Sequence, residues 1–533
     1  MSSDNIDILS SGMTSDDDLH GAREIIALMH APSAEDKELV TRAYKFAATA
    51  HAEHRRMSGE PYITHLVATA EGLARIGMGA RTISAGLLHD CIEDMGVSPE
   101  VIEKEFGKEV RFLVDGVTKL GKFKYHGAQR HVESLRKLLV ATSQDARVLV
   151  IKLMDRLHNM QTLQFVKPEK RMRIALETLD IYAAIAHRLG MGVVRRELED
   201  LAFQYAHPQE YAATKALLTE HEKEMNATLE DMVRRLKQEM AEEGITDFET
   251  ECRVKGLYSL WQKLQRKNGD IQRIHDISAI RVIVGNVADC YRVLGIVHKL
   301  WRPLPNKVKD YIAFTKPNGY QSLHTSVFTG TDGIIEVQIR TKQMHDEAQY
   351  GIASHVSYKE QGENDSGSGR QSSFDWIKSL IPGFGRSRTA TEDNQAADIA
   401  KEQEEQHHYG PNGYPKWISL LAEHSDDPEF ETLIKTDIFS QRVFIFTPNG
   451  DVVDLPVDAT PIDFAYAIHS DIGDHIAGAK VNGKMAPLNT KLRNGDIVEI
   501  DTKKSARPSA KWLEIAKTSV ARRHIRNVID GKA

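Results

Sequence analysis

Nine residues, Gly86-Leu-Leu-His-Asp-Cys-Ile-Glu-Asp94, restrict this chain more than any other stretch. Read as a helix at 100° per residue, His89, Asp90, Glu93 and Asp94 share one face, while Leu87, Leu88, Cys91, Ile92 and Met95 share the other. An imidazole and three carboxylates behind a fully apolar face need a compensating cation, because unpaired buried charge is costly. The competing reading is a solvated acidic face on a surface helix. The apolar run ahead of the His-Asp pair favours a metal site, whose other ligands must come from elsewhere in the chain.

Those ligands are available in the surrounding sequence. From about Glu35 to Tyr205 the pattern is helical, with breaks at Ser58-Gly-Glu-Pro61, Gly77-Met-Gly79 and Lys167-Pro168. Residues 146–163 form a second informative helix: Asp155, Asn159 and Thr162 stand at i, i+4 and i+7, while Leu149, Leu153, Leu157 and Met160 can pack. His65 adds a further imidazole, although a single helical histidine also serves as an ordinary core or surface residue. Two His and two Asp from separate helices suit a divalent ion such as Mn²⁺ or Zn²⁺.

With 533 residues the chain has length for several domains, and residues 1–20 lack apolar periodicity and read as a disordered tail. The net charge of −7 argues against coating nucleic acid through bulk charge, yet leaves room for local basic pockets. Three cysteines without a C-x-x-C pair exclude a disulfide framework and fit a reducing, cytoplasmic setting. There is no 18-residue apolar run and no basic-then-apolar leader.

Downstream the character changes. A charged helix spans about Met225–Glu243, Ala279–Val284 reads as a buried strand followed by a helix through Val293 and Leu300, and Ile335–Arg340 alternates strictly. This is an α/β or α+β region whose polar strand face lines a pocket. Lys255, Ser259 and Lys263 recur every four positions, as a polyphosphate-binding stripe or a solvated lysine face. Asp276 and Glu336, at strand ends, form a candidate Mg²⁺ pair. Tyr320 offers a ring for base stacking or for packing. Residues 361–413 read as a flexible insertion apart from a short Phe374–Leu380 segment, 414–437 as a helical connector around Trp417, 438–502 as a small α+β module with strands at 442–446 and 496–500 and a helix at 461–469, and 503–533 as a basic helical tail.

Three sets of motifs resemble the RelA/SpoT-homologue family, the enzymes that make and destroy the alarmone (p)ppGpp. Arg56-Met-Ser-Gly-Glu-Pro-Tyr-Ile-Thr-His65, His89-Asp-Cys-Ile-Glu-Asp94 and Asp155-Arg-Leu-His-Asn159 resemble its HD-type hydrolase domain (21–203). Lys309-Asp-Tyr-Ile, Lys316-Pro-Asn-Gly-Tyr-Gln-Ser-Leu-His324 and Glu336-Val-Gln-Ile-Arg340 resemble its synthetase domain (204–360), and Val443–Gly450, Ala459–His469 and Gly478–Gly483 resemble its TGS domain. The resemblance implies a multidomain chain: an all-α hydrolase domain, an α/β nucleotidyltransferase-like synthetase domain and a small α+β, β-grasp TGS domain.

It also implies roles. His65, His89, Asp90 and Asp155 would hold Mn²⁺, Glu93 and Asp94 would orient or activate the attacking water, and Arg56, Ser58, Asn159 and Thr162 would contact the nucleotide. In the synthetase domain, Arg253, Lys255, Ser259 and Lys263 would hold ATP and Asp276 and Glu336 would hold Mg²⁺, with Glu336 as base for the 3′-hydroxyl of GDP or GTP. Tyr320 would stack on guanine beside His324 and Gln338. Lys307 and Lys309 keep the basic sign that bifunctional members carry there. Met57 departs from the second basic residue usual in such members, and the chain stops before the zinc-finger and ACT modules of long members. The TGS domain implies a tRNA or ribosome partner with His469 as a contact, or a regulatory docking role. A hydrolase whose second domain only senses nucleotides, and a TGS-bearing ribosome or tRNA adaptor, are the competing functions.

Overall fold

The computed structural model describes residues 19–121, 145–354 and 442–530, apart from 272–273, 275, 306, 317–319, 330–332, 449–451, 494 and 504. They fall into two compact units, one within 19–354 and one within 442–530. The expected insertion at 361–413, the connector at 414–437 and nearly all of the expected 1–20 tail lie outside the described residues.

The first unit begins with helices α1 (His20–Leu28), α2 (Ala34–Ala50), α3 (Ile63–Arg75), α4 (Ala80–Leu88) and α5 (Pro99–Gly121). Helix α2 starts at a capping box in which Ser33 Oγ accepts from Asp36 N at 3.1 Å and Asp36 Oδ2 accepts from Ser33 N at 3.0 Å. Leu66, Leu73, Ile83, Leu87 and Leu88 are fully buried between α3 and α4. Gly86 permits this crossing, since a Cβ there would stand 2.4 Å from Leu73 Cδ1. Helix α4 ends at Leu88, so the helix expected to run through Asp94 does not form. His89–Met95 are turns closed by Cys91 N–Leu88 O and Asp94 N–Asp90 O bonds of 3.0 and 2.9 Å. Three carboxylates at a helix C-terminus oppose its dipole, and the turn swings Asp90 toward the imidazoles instead.

Helix α6 (Ala146–Gln161) follows expectation, with Asp145 as its N-cap and Thr162 as its C-cap. After it come α7 (Pro168–Glu177), a π-helical turn at Thr178–Tyr182, α8 (Ala183–Arg188), α9 (Gly192–Ala206) and α10 (Pro208–Glu242). Helix α10 has 35 residues and starts well before the helix expected at 225–243. Its Leu229, Met232, Leu236 and Met240 dock on the next sheet, and in the added N-terminal stretch Leu218 packs with Leu260 and Leu264.

That sheet has the order β1-β2-β5-β4-β3, with β1 at Phe248–Val254, β2 at Ser278–Val284, β3 at Lys309–Asp310, β4 at Leu323–Phe328 and β5 at Ile334–Thr341. Strands β2 and β5 are parallel and the other pairs antiparallel. Helices α11 (Leu257–Arg266), α12 (Val287–Leu300) and α13 (Lys342–Tyr350) complete it. Ile335, Val337 and Ile339 pack with Ile280, Val282, Val293 and Val297 on one face, as the alternation predicts. Gln338 and Arg340 on the opposite face are themselves buried.

The second unit pairs β6 (Arg442–Phe446) with β7 (Val452–Pro456), and sets α14 (Pro461–Ile468) and α15 (Ser470–Asp474) against a sheet of β8 (Ile476–Val481), β9 (Lys484–Ala486) and β10 (Val498–Thr502) in the order β10-β8-β9. The last strand begins two residues beyond the expected start. The expected tail is two helices, α16 (Trp512–Ile515) and α17 (Ser519–Ile529), and α17 buries Ala521 and Ile525 against Ile462, Ala465 and Tyr466 of α14. Asp463 fastens this contact: it accepts from Thr460 N and Oγ1, Lys517 N, and Thr518 N and Oγ1, all within 2.7–2.9 Å. Among the described residues, no helix is long and apolar enough to cross a membrane.

Candidate functional site

The first site gathers where α3, α6 and the turn after α4 meet. The side-chain ligand atoms of His65, His89 and Asp155 lie within 4.8 Å of one another, and all three residues are buried. Asp90 joins them, with Oδ2 at 3.1 Å from His89 Nε2 and 3.8 Å from His65 Nε2. His89 Nδ1 donates to Gly86 O at 2.7 Å, which turns Nε2 toward the carboxylates. That buried Nε2 also stands 3.9 Å from Asp155 Oδ1. His65 is oriented likewise, with Nδ1 at 2.7 Å from His158 Nδ1 and Nε2 at 3.3 Å from Asp155 Oδ1. Two imidazole nitrogens facing two carboxylates fit a borderline divalent cation, which would take the place of the proton on His89.

Electrostatics agree. Burial pushes the His89 imidazole toward neutrality, but Asp90 and Asp155 outweigh it and raise its pKa to about 9, so the cluster draws positive charge. Burial likewise opposes charge on Asp155, which Lys152 and the two imidazoles overcome, keeping it well below the usual range. Lys152 Nζ donates to Asp155 Oδ2 at 2.7 Å, so Oδ1 is the oxygen left facing the imidazoles. Tyr62 Oη donates to Asp90 Oδ2 at 2.8 Å.

The expected nucleotide contacts form a patch beside this cluster. Arg56 Nη2 donates to Asn159 Oδ1 at 2.9 Å and Thr162 Oγ1 at 3.3 Å, and Asn159 Nδ2 donates to Asp155 Oδ1 at 2.5 Å. Ser58 instead bonds Glu60 at 3.1 Å, and Met57 is 68% exposed. Glu93 and Asp94 sit exposed on the turn, where Asp94 is near enough to bond the Tyr62 hydroxyl. Tyr62, His158 and Lys152 were missed in the sequence; Lys152, one helical turn before Asp155, was within reach of an i, i+3 search.

The second site lies on the polar face of the five-stranded sheet. Asp276 sits in the loop before β2, and its carboxylate takes Lys255 Nζ at 2.6 Å and also pairs with Lys263. Lys255 is not on the helix: it leaves the end of β1, and only Ser259 and Lys263 belong to α11. The two lysines therefore meet by convergence on Asp276 rather than by helical spacing alone. Burial lowers Lys255 to about 8, and although burial opposes the Asp276 charge, the two lysines hold that carboxyl down at about 2. Ser259 Oγ donates to Glu199 Oε2 at 3.2 Å.

Glu336, Gln338, His324 and Tyr320 form a chain. His324 Nδ1 lies 2.8 Å from Glu336 Oε1 and its Nε2 2.7 Å from Tyr320 Oη, while Gln338 Nε2 donates to Glu336 Oε2 at 3.1 Å. Burial raises the Glu336 carboxyl, and bonding from His324 reverses the direction, so the group stays ionised; the Asp276 charge nearby works the other way. Lys316 Nζ stands over the rings of Tyr311 and Tyr320 at 4.3 and 4.8 Å. Lys309 is exposed in register with His324. Arg253 is joined on this face by Arg281 and Arg340, which the sequence reading did not single out. Both lie on strands whose alternation places them there, and each keeps a buried Nε without a partner. His469, in the second unit, uses Nδ1 to accept from Asp471 N at 3.1 Å and so caps α15.

Comparison with known proteins matches residues 43–192 to the HD domain, 252–363 to the region found in RelA / SpoT proteins, and 443–502 to the TGS domain. Fold and sites thus define a multidomain protein with an HD domain, a RelA/SpoT-type synthetase domain and a TGS domain. The chain is 42% identical over 503 residues to a guanosine-3′,5′-bis(diphosphate) 3′-pyrophosphohydrolase of Aquifex aeolicus (strain VF5), covering 94% of this chain and 66% of that one. It is 41% identical over 502 residues to a GTP pyrophosphokinase of Myxococcus xanthus (93% and 60%), and 40% identical over 494 residues to the bifunctional (p)ppGpp synthase/hydrolase SpoT of Escherichia coli (strain K12) (92% and 64%). It is similar to these relatives through its HD, RelA/SpoT-type and TGS segments, and it spans 66% or less of their length.

Proposed function

We propose that this chain is a bifunctional alarmone enzyme: it hydrolyses (p)ppGpp to GDP or GTP plus pyrophosphate at the first site, and transfers pyrophosphate from ATP to the 3′-hydroxyl of GDP or GTP at the second. The observation that carries the first half is the buried convergence of His89 Nε2, turned by the bond of Nδ1 to Gly86 O, with His65, Asp90 and Asp155. Residues 21–203 and 204–360 are the two catalytic domains in this reading.

At the hydrolase site His65, His89, Asp90 and Asp155 would hold Mn²⁺, which supplies Lewis acidity and lowers the pKa of a bound water. Arg56, Asn159 and Thr162, already joined in one patch, orient the nucleotide, with Ser58 at its edge. Asp94 or Glu93, exposed on the adjoining turn, receives the water proton. Water oxygen bonds to the phosphorus that carries the 3′-oxygen, the bond between them breaks, and the 3′-oxygen takes up the proton that the carboxylate received, releasing pyrophosphate.

At the synthetase site Asp276 and Glu336 would hold Mg²⁺, which neutralises phosphate charge and suits one or two carboxylates plus substrate oxygens. Arg253, Lys255, Ser259 and Lys263 bind the ATP phosphates. Tyr320 stacks on guanine once Lys316 leaves its ring, with Gln338 and Lys309 at the pocket. Glu336, held ionised by His324, accepts the 3′-hydroxyl proton as that oxygen attacks the β-phosphorus of ATP and AMP departs.

A turnover assay with Mn²⁺ and Mg²⁺ supplied separately tests both halves. Loss of pyrophosphate release from ppGpp in Asp90→Ala, and loss of AMP release from ATP plus GDP in Glu336→Ala, are expected. Wild-type protein that hydrolyses ppGpp but never releases AMP would leave the second domain a nucleotide sensor.

A further inference from the structure

Helix α11 carries Ser259 and Lys263, yet it has no cap of its own. Its N-cap is Gly256, which offers no side-chain acceptor, and the first N–H groups of any helix lack partners within it. The missing acceptor comes from 58 residues away: Asp200 Oδ1 takes the Tyr258 N–H at 3.0 Å. Asp200 lies on α9, outside both matched segments at 43–192 and 252–363. Helix α9 packs on α6, which carries Asp155 and Asn159, and on α11.

Gly256 carries an independent mark of the same contact. A Cβ there would stand 2.9 Å from Asp200 Oδ2 and 3.0 Å from Arg196 Cγ, so the carboxylate reaches the helix end only because this residue has no side chain. A negative group at this end also complements the helix dipole.

We propose that Asp200 is a positioning residue for the ATP stripe: a carboxylate on α9 supplies the cap that α11 lacks, and thereby fixes Ser259 and the Lys255 turn that precedes it. This rests on the reading of that stripe as the ATP site. Without the cap the first turn of α11 frays, and ATP binds only the fraction of molecules in which it is formed. GDP, held on the Tyr320 side, is unaffected.

The test is a comparison of KM for ATP, KM for GDP and kcat in Asp200→Ala, Asp200→Asn and Gly256→Ala. Loss of one cap gives Asp200→Ala a KM for ATP raised about fivefold, with KM for GDP and kcat little changed. Asn caps about as well as Asp, so Asp200→Asn stays within about twofold of wild type, while Gly256→Ala, which pushes the carboxylate away, behaves like Asp200→Ala. An unchanged KM for ATP in folded Asp200→Ala, an equal rise for both substrates, or failure of Asn to rescue overturns the proposal. Should the wild type release no AMP, the synthetase reading is what fails. Calorimetric binding of α,β-methylene-ATP then decides the role of Asp200 by the same criterion: about fivefold weaker in Asp200→Ala supports it, and unchanged binding overturns it.

Discussion

Lys152→Met separates the metal centre from ordinary core packing. Lys152 Nζ lies 2.7 Å from Asp155 Oδ2, and the two side chains are 17% and 7% exposed. Removing one partner of such a buried pair leaves an uncompensated charge and costs about 3–5 kcal/mol. His65 and His89 share the Asp155 charge, which favours the lower end of that range. At about 2.1 cal/mol/K of unfolding entropy per residue, a unit of about 300 residues shifts by about 1.6 °C per kcal/mol, so a 3 kcal/mol loss lowers the melting temperature by about 5 °C. This fall is expected in EDTA, where lysine is the main neutraliser of Asp155. In saturating Mn²⁺ the bound cation takes over that role, and the fall should shrink to less than half. Differential scanning calorimetry of wild type and variant, each with EDTA and with Mn²⁺, reads all four melting points. Equal losses with and without metal would refute the reasoning, because Lys152 would then be a packing residue with no electrostatic tie to the ion.

Tyr62→Phe removes the 2.8 Å bond to Asp90 and should weaken Mn²⁺ binding about tenfold by calorimetry, the lower end of the effect of losing an outer-shell partner. Glu199→Ala removes the acceptor that holds the Ser259 hydroxyl, so KM for ATP should fall, by about fivefold if one competing hydrogen bond of 1 kcal/mol is lost. His345 is buried against the Arg340 guanidinium, and burial with that charge lowers its pKa to about 4. Because the folded value lies below the unfolded one of about 6.5, the neutral ring's stability is complete above pH 6.5 and drains away as pH falls toward 4. His345→Gln should flatten that part of a denaturation-against-pH profile. Asp463→Ala orphans the Thr460, Lys517 and Thr518 donors and should cost the second unit about 3 kcal/mol in urea denaturation.

Helix periodicity located α6 and the strict alternation located β5, because both elements bury one regular face and the pattern of apolar residues records it. The four expected metal ligands are also brought together as their local motifs suggest. What the pattern misjudged has physical causes. The helix through His89–Asp94 fails because its acidic end opposes the helix dipole, so His89 and Asp90 sit on a turn that periodicity does not describe. Lys255 enters its site from a strand end, and evenly spaced residues therefore mimicked a helical stripe that is only partly one. Tyr62, Arg281, Arg340 and Asp200 act through partners far away in the chain, and a distance in sequence carries no trace of such a meeting.

The helix that closes over Asp463 bears on how this module could travel between proteins. Its matched segment ends at residue 502, yet Lys517 and Thr518 supply three of the five hydrogen bonds to Asp463. A gene-shuffling event that cut at 502 would pass on a fold with a buried carboxylate stripped on one side and the apolar faces of Ile462 and Tyr466 left open. The heritable unit at this end of the chain runs on through Ile529, and substitutions in α17 should be constrained together with those in α14 rather than drifting as a linker would.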